Sequence, residues 1–333
     1  MNIYLLLFDA APFCEPFEKI KNKFHNFGQI SNCFTTTSVV SLLTGQMPSD
    51  LEKGGIGYET ELRYKVNGNI KWPWEDQFIF SILEKAGWEV EIYTDNPFFG
   101  DVISQKFSIK YKNIHEKEII EEIQNNDDSG KNKITFILYN TYHDALGGKI
   151  SHEKAKENLD SCLSFWNFDQ ENSFFWLFSD HGDFTKLGPP DGVKISTVGY
   201  MTWAMMKDNT DNPILPKTNL ISIRDFFPTI MKKLNLHIED KKTINESKSV
   251  TEDLDLERIY YVEDSRGYDD LNGSSVAAAI MIKNWTGINL DFEYSQVNLY
   301  KKKPNFITKV GKAYDTNYLE LQLKNRFKWL LSV

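Results

Sequence analysis

The stretch IYLLLFDA (residues 3–10) is an uninterrupted apolar run that ends in a carboxylate. A strand buried on both faces has this pattern, whereas a half-exposed strand alternates apolar and polar residues. Two further stretches have the same form: ITFILYNTYHD (134–144) and SFFWLFSDHGD (173–183) are apolar runs that end in His and Asp. We therefore predict three central strands of a parallel sheet, each with polar side chains at its C-terminal end.

Helical patterns separate these strand-like runs. FIFSILEKAG (78–87) has apolar residues at helical spacing and ends in Gly, and the strand-like stretch WEVEIYTD (88–95) follows it. ISHEKAKENLDSCLSFW (150–166) has one charged face and one apolar face. Strands that alternate with helices form a sheet covered on both faces. We therefore predict an α/β fold, a three-layer α/β/α sandwich with a mostly parallel central sheet.

The composition changes near the C-terminal third of the chain. EDKKTINESKSVTEDLDLE (239–257) is polar and highly charged, which is typical of a linker. Strand-like stretches follow it, namely YYVED, SVAAAIMIKNW and SQVNLYKK. We predict a core at residues 1–238, a polar linker at 239–257, and a small C-terminal β-rich subdomain at 258–333 that packs on the core.

Length and charge limit the class of protein. With 333 residues, of which 41% are hydrophobic and 14% aromatic, the chain can bury a large core. The net charge of −9 argues against a general nucleic-acid binder, which needs a basic face. It does not exclude an anionic small substrate, because a metal ion or a few local cations reverse the sign of the charge within a pocket.

Cysteine usage and the N-terminal sequence indicate the compartment. Cys14, Cys33 and Cys162 are odd in number and lack CxxC spacing, so we expect reduced thiols and a cytoplasmic protein. MNIYLLLFDAAPF (1–13) has no basic region and no small-residue cleavage site, so we interpret it as a buried strand and not as a signal peptide. No stretch approaches the ~20 apolar residues that a membrane-spanning helix needs.

Acidic and histidine side chains follow the strand-like runs. Asp9, His143, Asp144, Asp180 and His181 all lie at predicted strand ends, and parallel strands present these ends at one edge of a sheet. A carboxylate oxygen beside an imidazole nitrogen suits a divalent metal ion. The alternative is structural, since Asp9 and Asp180 could each cap a following helix, with His181 incidental.

Three consecutive hydroxyls begin a helical pattern in FTTTSVVSLLTG (34–45). One interpretation treats Thr35, Thr36 and Thr37 as an N-cap with β-branched filler, and Gly45 as the helix stop. The other treats one threonine as a nucleophile, because free N–H groups and the positive end of the dipole at a helix N-terminus hold a phosphoryl or sulfuryl group. A metal ion bound by nearby carboxylates would activate that hydroxyl.

Together these stretches resemble the alkaline phosphatase and sulfatase superfamily, in its sulfatase-like branch. Six stretches similar to the superfamily's occur in its order: FDA (8–10), SLLTGQMP (41–48), ILEKAGWEVEIYTDN (82–96), ENLDSCL (157–163), FSDHGD (178–183) and IRDFFPTIMKKLNL (223–236). The resemblance covers most of the chain and fades after residue 238. It implies that residues 1–238 form a sulfatase-like catalytic core.

The resemblance also assigns roles within the threonine helix. Sulfatases carry Cys or Ser followed by x-Pro-Ser-Arg, and phosphodiesterases of the superfamily carry Thr-x-Pro-Asn, each before a stretch similar to LLTG. Counting back from LLTG (42–45) puts Thr35 in the nucleophile slot, Ser38 in the Asn slot and Val39 in the Arg slot. The two threonines after Thr35 are then structural.

Departures from the superfamily pattern restrict the reaction type and the number of metal ions that we expect. Cys33 lies two residues off the nucleophile slot, so the resemblance implies no formylglycine and favours phosphoryl chemistry over sulfate-ester hydrolysis. Two-metal members need Asp-x-x-x-His and a further His. Gly148 stands where the first of these histidines belongs, and no histidine lies between His181 and His237. A complete two-metal site is therefore not expected.

The remaining residues are similar to the one-metal set of lipoteichoic acid synthases and phosphoethanolamine transferases. The resemblance implies one divalent ion held by Asp9, Thr35, Asp180 and His181. Mn²⁺ or Zn²⁺ is expected, with Mg²⁺ or Ca²⁺ as alternatives. Those relatives are anchored in membranes outside the cytoplasm, so their substrates are not carried over to this chain.

The sequence thus predicts a metal-dependent phosphoric-ester hydrolase or phosphotransferase that forms a phospho-threonine intermediate at Thr35. The expected substrate is an anionic ester of a small molecule, a glycan or a lipid head group. His143 is either a leaving-group acid or phosphate donor, or a hydrogen-bonded strand-end side chain. Further candidates for substrate binding are Ser38, Asp144, Lys186 and Arg266, although a lysine or arginine in such a position is more often only a surface charge.

Two alternatives stay open. The first is a sulfatase-like hydrolase of sulfate or phosphonate esters. The second is a non-catalytic binding protein on a superfamily fold that has lost its catalytic function, which the missing second metal site and the missing Arg would explain. Metal content separates the second alternative from the enzymes, since a decayed site should bind no ion.

Overall fold

A computed structural model describes most of the chain. The residues described are 1–11, 19–32, 35–47, 77–95, 107–125, 130–182, 201–237, 246–253, 258–264, 276–285, 292–300, 307–310 and 321. The strands in this part of the chain are β1 Asn2–Phe8, β2 His25–Ile30, β3 Glu89–Thr94, β4 Ile109–Tyr111, β5 Lys133–Tyr139, β6 Ser173–Ser179, β7 Met201–Asp208, β8 Leu220–Ser222, β9 Ile259–Asp264, β10 Val276–Trp285, β11 Phe292–Tyr300 and β12 Ile307–Val310. The α-helices are α1 Thr35–Thr44, α2 Ile79–Lys85, α3 Lys117–Asn125, α4 Thr141–Leu146, α5 His152–Ser164 and α6 Phe226–Lys233.

The first eight strands form one mixed sheet in the order β4-β3-β5-β1-β6-β7-β2-β8. All neighbouring pairs are parallel except those of β7, which runs antiparallel to β6 and to β2. The three strands predicted from apolar runs, β1, β5 and β6, are adjacent at the centre of this sheet. The predicted α/β fold with a mostly parallel central sheet is therefore confirmed.

The central strand β1 is buried on both faces, and its side chains alternate between two apolar layers. The odd-numbered residues from Ile3 to Leu7 pack with apolar side chains of α1, α2 and α6. The even-numbered residues from Tyr4 to Phe8 pack with side chains of α3, α4 and α5. Successive strand residues point to opposite faces, so a strand covered on both sides must be apolar throughout. Helices thus cover both faces of the sheet, as the three-layer prediction requires.

The C-terminal strands β9 to β12 form a second, antiparallel sheet in the order β12-β11-β10-β9. A strand-rich C-terminal region was predicted from the apolar stretches that follow residue 257. The boundaries at residues 238 and 257 stay a prediction.

Two segments near the second sheet, at Arg258 and at residues 246–253, contact the core of the protein around α6 through buried polar groups. Arg258 lies just before β9 and donates two hydrogen bonds, of 2.6 and 2.7 Å, to the buried carboxylate of Asp225. Residues 246–253, within the stretch predicted as a linker, also pack on the core. Val250 is fully buried, and its N–H donates to Thr229 Oγ1 of α6 at 3.1 Å. In the described part of the chain, no helix has the length and apolar character needed to span a membrane.

Gly45 ends α1, as the sequence predicts. Its φ of +70° lies in the left-handed region that a side chain disfavours. A Cβ at this position would lie 3.0 Å from Cδ1 of Phe227, a buried side chain of α6. The end of α1 is therefore set by two constraints at once, the backbone conformation and the close approach of α6.

We predict that Gly45→Ala destabilises the protein more than Gly148→Ala does. Gly148 has a similar φ of +72°, but a Cβ there would meet nothing within 4 Å. Gly148→Ala should cost only the left-handed strain of about 1–2 kcal/mol, whereas Gly45→Ala adds a core clash of about 1–3 kcal/mol. Urea unfolding of both variants measures the difference. If the two variants lost equal free energy of unfolding, the Phe227 side chain would have to move away from the new Cβ without an energetic cost.

Candidate active site

Strand register brings two acidic residues together at one edge of the central sheet. In the parallel pairing of β1 with β6, Phe8 lies opposite Ser179. Asp9 and Asp180 each follow these residues directly, so they leave adjacent strands at the same level. Asp9 is 3% exposed, Asp180 is 0% exposed, and the following residue, His181, is 5% exposed. The convergence expected from strand-end positions is confirmed for these three residues.

The first residue of α1 completes the group. Thr35 Oγ1 lies 3.4 Å from Asp9 Oδ1 and 3.4 Å from His181 Nε2. His181 Nε2 lies 3.4 Å from Asp9 Oδ1 and 3.8 Å from Asp180 Oδ2. Thr35 is partly exposed, unlike the three residues around it. Its hydroxyl is therefore the member of the group that solvent or a substrate can reach.

The two oxygens of the Asp180 carboxylate have different surroundings. Oδ1 accepts hydrogen bonds from the backbone N–H of Ala10 at 3.1 Å and of His181 at 3.0 Å. Oδ2 is buried and accepts no hydrogen bond within 3.5 Å from the described residues, and its ion-pair partner His181 Nε2 lies 3.8 Å away. A buried carboxylate oxygen without a donor is costly, and a bound cation would remove that cost. The orphaned Oδ2 therefore fits a metal ligand.

The orientation of the His181 ring also fits a metal ligand. Nδ1 lies 3.0 Å from the carbonyl oxygen of Gly182. A carbonyl only accepts hydrogen bonds, so Nδ1 is the donor and carries the proton in the neutral ring. Nε2 then presents its lone pair toward Asp9, Asp180 and Thr35. A backbone carbonyl that fixes the tautomer in this way is the usual partner of a metal-binding histidine.

Burial and mutual charge shift the pKa values of this group. Burial raises the pKa of Asp180 to about 6, and Asp9 adds to this shift while His181 opposes it. Burial alone would lower the pKa of His181, but the negative charges of Asp180 and Asp9 outweigh it and raise the pKa to about 9. Near neutral pH the metal-free group thus holds a proton on His181 between two carboxylates.

Asp9, Asp180 and His181 together could hold a divalent ion. Their ligand atoms all lie within 4.8 Å of one another. Two hard carboxylate oxygens and one borderline imidazole nitrogen suit Zn²⁺ or Mn²⁺. A dication would replace the proton held by His181 and would engage the orphaned oxygen of Asp180. The residues present therefore fit the metal that the sequence predicts.

Helix α1 is held against this group by buried side chains. Asn32 Nδ2 donates to the Thr37 carbonyl at 3.0 Å and to Ser41 Oγ at 2.9 Å. Ser38 Oγ donates to the Asp180 carbonyl at 2.8 Å. These bonds link α1 to the segment after β2, through Asn32, and to the end of β6, through Ser38. The backbone N–H groups of the first turn of α1 therefore lie beside Thr35, at the helix end that favours an anion.

The other predicted site residues lie in different surroundings. His143 is exposed on α4, and Asp144 Oδ1 accepts hydrogen bonds from Asn140 at 3.2 Å and Lys149 at 2.7 Å. The Ser38 hydroxyl is fully buried and bonds to backbone carbonyls. Lys186 and Arg266 lie outside the described residues. The substrate-binding roles of all these residues stay predictions.

One polar pair at the same sheet edge was missed by the sequence analysis. Asp95 follows β3 directly, and its Oδ2 lies 2.9 Å from His115 Nε2. Thr141 Oγ1 lies 3.4 Å from the same nitrogen. Asp95 was recognisable as another carboxylate after a strand. His115 was not, because it lies beyond β4 in a stretch without a strong pattern.

One of the three cysteines lies in the described part of the chain, so the predicted state of the thiols and the cytoplasmic location stay predictions. Cys162 is a free, buried thiol of α5, and burial raises its pKa to about 12. Such a thiol is packed and unreactive at neutral pH. Cys14 and Cys33 lie outside the described residues.

Comparison with known proteins identifies the fold. No protein-family model and no curated protein matches the sequence. Among solved structures, an alkaline phosphatase superfamily protein from Vibrio parahaemolyticus is similar, with a TM-score of 0.64 and 12% identity over 99% of this chain and 87% of that one. The chain has the fold of the alkaline phosphatase superfamily. The resemblance predicted from six short stretches is thus confirmed for the fold.

Two further structures with this superfamily fold are similar to the chain. BT1596, a 2-O GAG sulfatase, has a TM-score of 0.60 and 12% identity over 98% of this chain and 90% of that one. The C-terminal periplasmic domain of EcEptC from Escherichia coli, in complex with Zn, has a TM-score of 0.52 and 12% identity over 80% of this chain and 90% of that one. At such identities the likeness concerns the fold alone.

We predict one tightly bound divalent ion per chain, with an affinity that rises with pH. A metal ion binds the unprotonated imidazole, whereas the metal-free protein keeps a proton on His181 up to a pH of about 9. Binding therefore releases that proton, and the affinity should rise about tenfold per pH unit between about pH 6 and 9. Calorimetric titration of the metal-free protein with Zn²⁺ or Mn²⁺ at several pH values measures this slope.

His181→Asn is the control for this prediction, since it removes the titrating ring and should flatten the pH dependence as well as weaken binding. Absence of metal from the purified protein, together with no binding in the titration, would contradict the metal site.

Proposed function

We propose that the protein is a metal-dependent phosphoric-ester hydrolase or phosphotransferase with Thr35 as its nucleophile. The observation that carries the proposal is the position of Thr35 Oγ1, 3.4 Å from both Asp9 Oδ1 and His181 Nε2, at the N-terminus of α1. No other arrangement of a hydroxyl, two carboxylates and a histidine occurs among the described residues that could hold a metal ion. The superfamily fold supports an enzyme of this general class.

Asp9, Asp180 and His181 would hold the ion beside Thr35. When bound, the ion would lower the pKa of the neighbouring hydroxyl and neutralise charge on the phosphoryl oxygens. Thr35 Oγ1 donates a hydrogen bond to Asp9 Oδ1 in the metal-free protein, and release of that proton to solvent would leave an alkoxide. The N–H groups of the first turn of α1 would orient the anionic ester toward this oxygen.

The reaction would proceed in two steps. Thr35 Oγ1 attacks phosphorus, the bond from phosphorus to the leaving oxygen breaks, and the phosphoryl group stays on Thr35. A water molecule, in a hydrolase, or an alcohol, in a transferase, then attacks phosphorus, the bond from phosphorus to Thr35 Oγ1 breaks, and the proton of the attacking hydroxyl passes to Thr35 Oγ1. His143, which is exposed on α4, is the candidate to protonate the leaving oxygen or to bind the phosphate.

The chemistry of threonine favours phosphorus over sulfur. A sulfated threonine cannot eliminate its group as a hydrated aldehyde can, so it would need attack at sulfur. Val39, in the slot where sulfatases carry Arg, is 0% exposed within the apolar layer around α1, so it offers no charge to a sulfate. The phosphoryl reaction needs neither a formylglycine nor this arginine.

The proposed substrates are anionic esters of small molecules, glycans or lipid head groups. Zn²⁺ or Mn²⁺ is the proposed ion, and the EcEptC domain, whose fold is similar, was solved with Zn. A cytoplasmic location remains a proposal that rests on the odd cysteine count and the free thiol of Cys162. We propose no nucleic-acid partner, because the chain is acidic.

A sulfatase-like activity is the second candidate. It is favoured by the similarity to BT1596, a 2-O GAG sulfatase, which covers 98% of this chain. A third candidate is a binding protein without catalysis. The metal titration described above separates the third candidate from the two enzymes, and substrate comparison separates the enzymes from each other.

We predict that Thr35→Ala reduces turnover at least about a thousandfold without loss of folding, because the nucleophile is removed. Thr35→Ser should keep part of the activity, since it keeps the hydroxyl. Thr36→Ala, one residue further along the same helix, is the control and should lose less than about tenfold. Steady-state kinetics and thermal unfolding are measured for each variant. Equal losses in both Ala variants would indicate that the threonines are only structural.

We predict that kcat/KM for an aryl phosphodiester exceeds that for the matched aryl sulfate by at least about a hundredfold, or about 3 kcal/mol of barrier. The assay compares aryl phosphodiester, phosphomonoester and sulfate substrates with Mn²⁺ and with Zn²⁺. A preference for the sulfate ester would overturn the phosphoryl proposal and support the sulfatase-like candidate.

A further inference from the structure

We infer that Ser179, the last residue of β6, is a positioning residue that sets the Asp180 carboxylate and the His181 ring for metal binding. This inference rests on the metal site of the proposed function and extends it to a residue that does not itself contact Thr35 or the ion. It follows from the hydrogen bonds that surround the Asp180–His181 backbone.

The Ser179 hydroxyl connects the two strand ends that carry the metal site. Its Oγ lies 3.0 Å from the carbonyl oxygen of Ala11, after β1, and 2.8 Å from that of His181, after β6. The side chain is 0% exposed, so water does not substitute for this donor. One hydroxyl proton is shared between the two carbonyls, so the same side chain holds both chain segments close to Ser179.

The segment after β1 needs such a restraint. Ala10 has a φ of +57°, in the left-handed region that residues with a Cβ disfavour. This conformation turns the Ala10 N–H toward Asp180 Oδ1, at 3.1 Å. A disfavoured conformation persists only where its surroundings hold it, and the bond from Ser179 to the next residue, Ala11, is one such constraint.

The segment after β6 depends on the same hydroxyl. The His181 N–H donates to Asp180 Oδ1 at 3.0 Å, and His181 is held at its carbonyl by Ser179. Both donors to Oδ1 thus belong to segments that Ser179 restrains. With Oδ1 occupied by two N–H groups, Oδ2 is left for the ion, beside His181 Nε2.

Removal of the hydroxyl should therefore act on the metal site more than on the fold. Without it, the Ala11 and His181 carbonyls lose a shared donor and the two segments are free to separate. Ala10 can then relax from its left-handed conformation, and the carboxylate of Asp180 can rotate. Groups that orient metal ligands typically contribute 10- to 100-fold to metal affinity.

Ser173 provides a matched control at the opposite end of the same strand. It is also 0% exposed, and its hydroxyl also donates to a backbone carbonyl, that of Gln170. The two serines are the first and last residues of β6, six residue steps apart, which is about 20 Å along an extended strand. Ser173→Ala thus reproduces the loss of a buried hydroxyl in β6 without touching the metal site.

The experiment is calorimetric titration of the metal-free wild-type protein, Ser179→Ala and Ser173→Ala with Zn²⁺ and with Mn²⁺ in the absence of substrate. We expect Ser179→Ala to raise the dissociation constant about 10- to 100-fold and Ser173→Ala to change it less than about threefold. The midpoint temperature of thermal unfolding is measured for each metal-free protein, and it should fall by similar amounts in the two Ala variants. Ser179→Cys, which keeps a weak donor, should give an intermediate dissociation constant even if Ser179→Ala folds poorly.

Equal dissociation constants in the wild type and Ser179→Ala would overturn the inference, as would equal weakening by the two Ala variants. Failure of the wild-type protein to bind either ion would overturn both this inference and the proposed function. Because no substrate is used, a wild-type protein that binds metal but lacks phosphoryl transfer would contradict the proposed function alone, and the effect of Ser179 would still be measured.

Discussion

The parallel pairing of β1 between β5 and β6 is the constraint on which the rest of the structure depends. Backbone hydrogen bonds hold β1 on both edges, and the register sets Phe8 opposite both Tyr139 and Ser179. A shift of one residue would exchange the two faces of the strand and would bury the wrong side chains in both layers. The same register decides that Asp9 and Asp180 emerge side by side.

The two apolar layers then place the remaining parts of the site. Helix α1 packs on one face together with α6, so that Thr35 reaches the sheet edge where the carboxylates lie. Asp225, directly before α6, forms a buried ion pair with Arg258, directly before β9. This pair connects the core around α6 to the start of the second sheet. Loss of either partner would leave an uncompensated buried charge. This would lower the stability of the fold far more than replacing both residues with apolar ones of similar volume. The hydroxyl at the start of α1 is thus positioned by packing, and the metal ligands by strand register.

Much of this arrangement could be predicted from sequence because it depends on periodicity. Continuous apolar runs identified β1, β5 and β6, and the polar residues after them identified Asp9, Asp180 and His181. The antiparallel direction of β7 and the strand order were not predictable, since they depend on contacts between distant segments. The left-handed conformation of Ala10 could also not be predicted, because an alanine in the sequence does not indicate a positive φ. The Asp95–His115 pair was missed for a similar reason: its members come from separate loops and share no motif.

The doubly paired position of β1 has a kinetic consequence for the site. Edge strands such as β4 can open in local fluctuations, whereas a central strand bonded on both sides opens only with the whole fold. Asp9 and Asp180 adjoin two such central strands. An ion held between them would leave through the solvent-facing side at Thr35 and not by partial unfolding of its ligands. The residence time of the ion would then depend on how easily it passes the solvent-facing side at Thr35. Hydrogen exchange of the β1 amides would instead measure global unfolding.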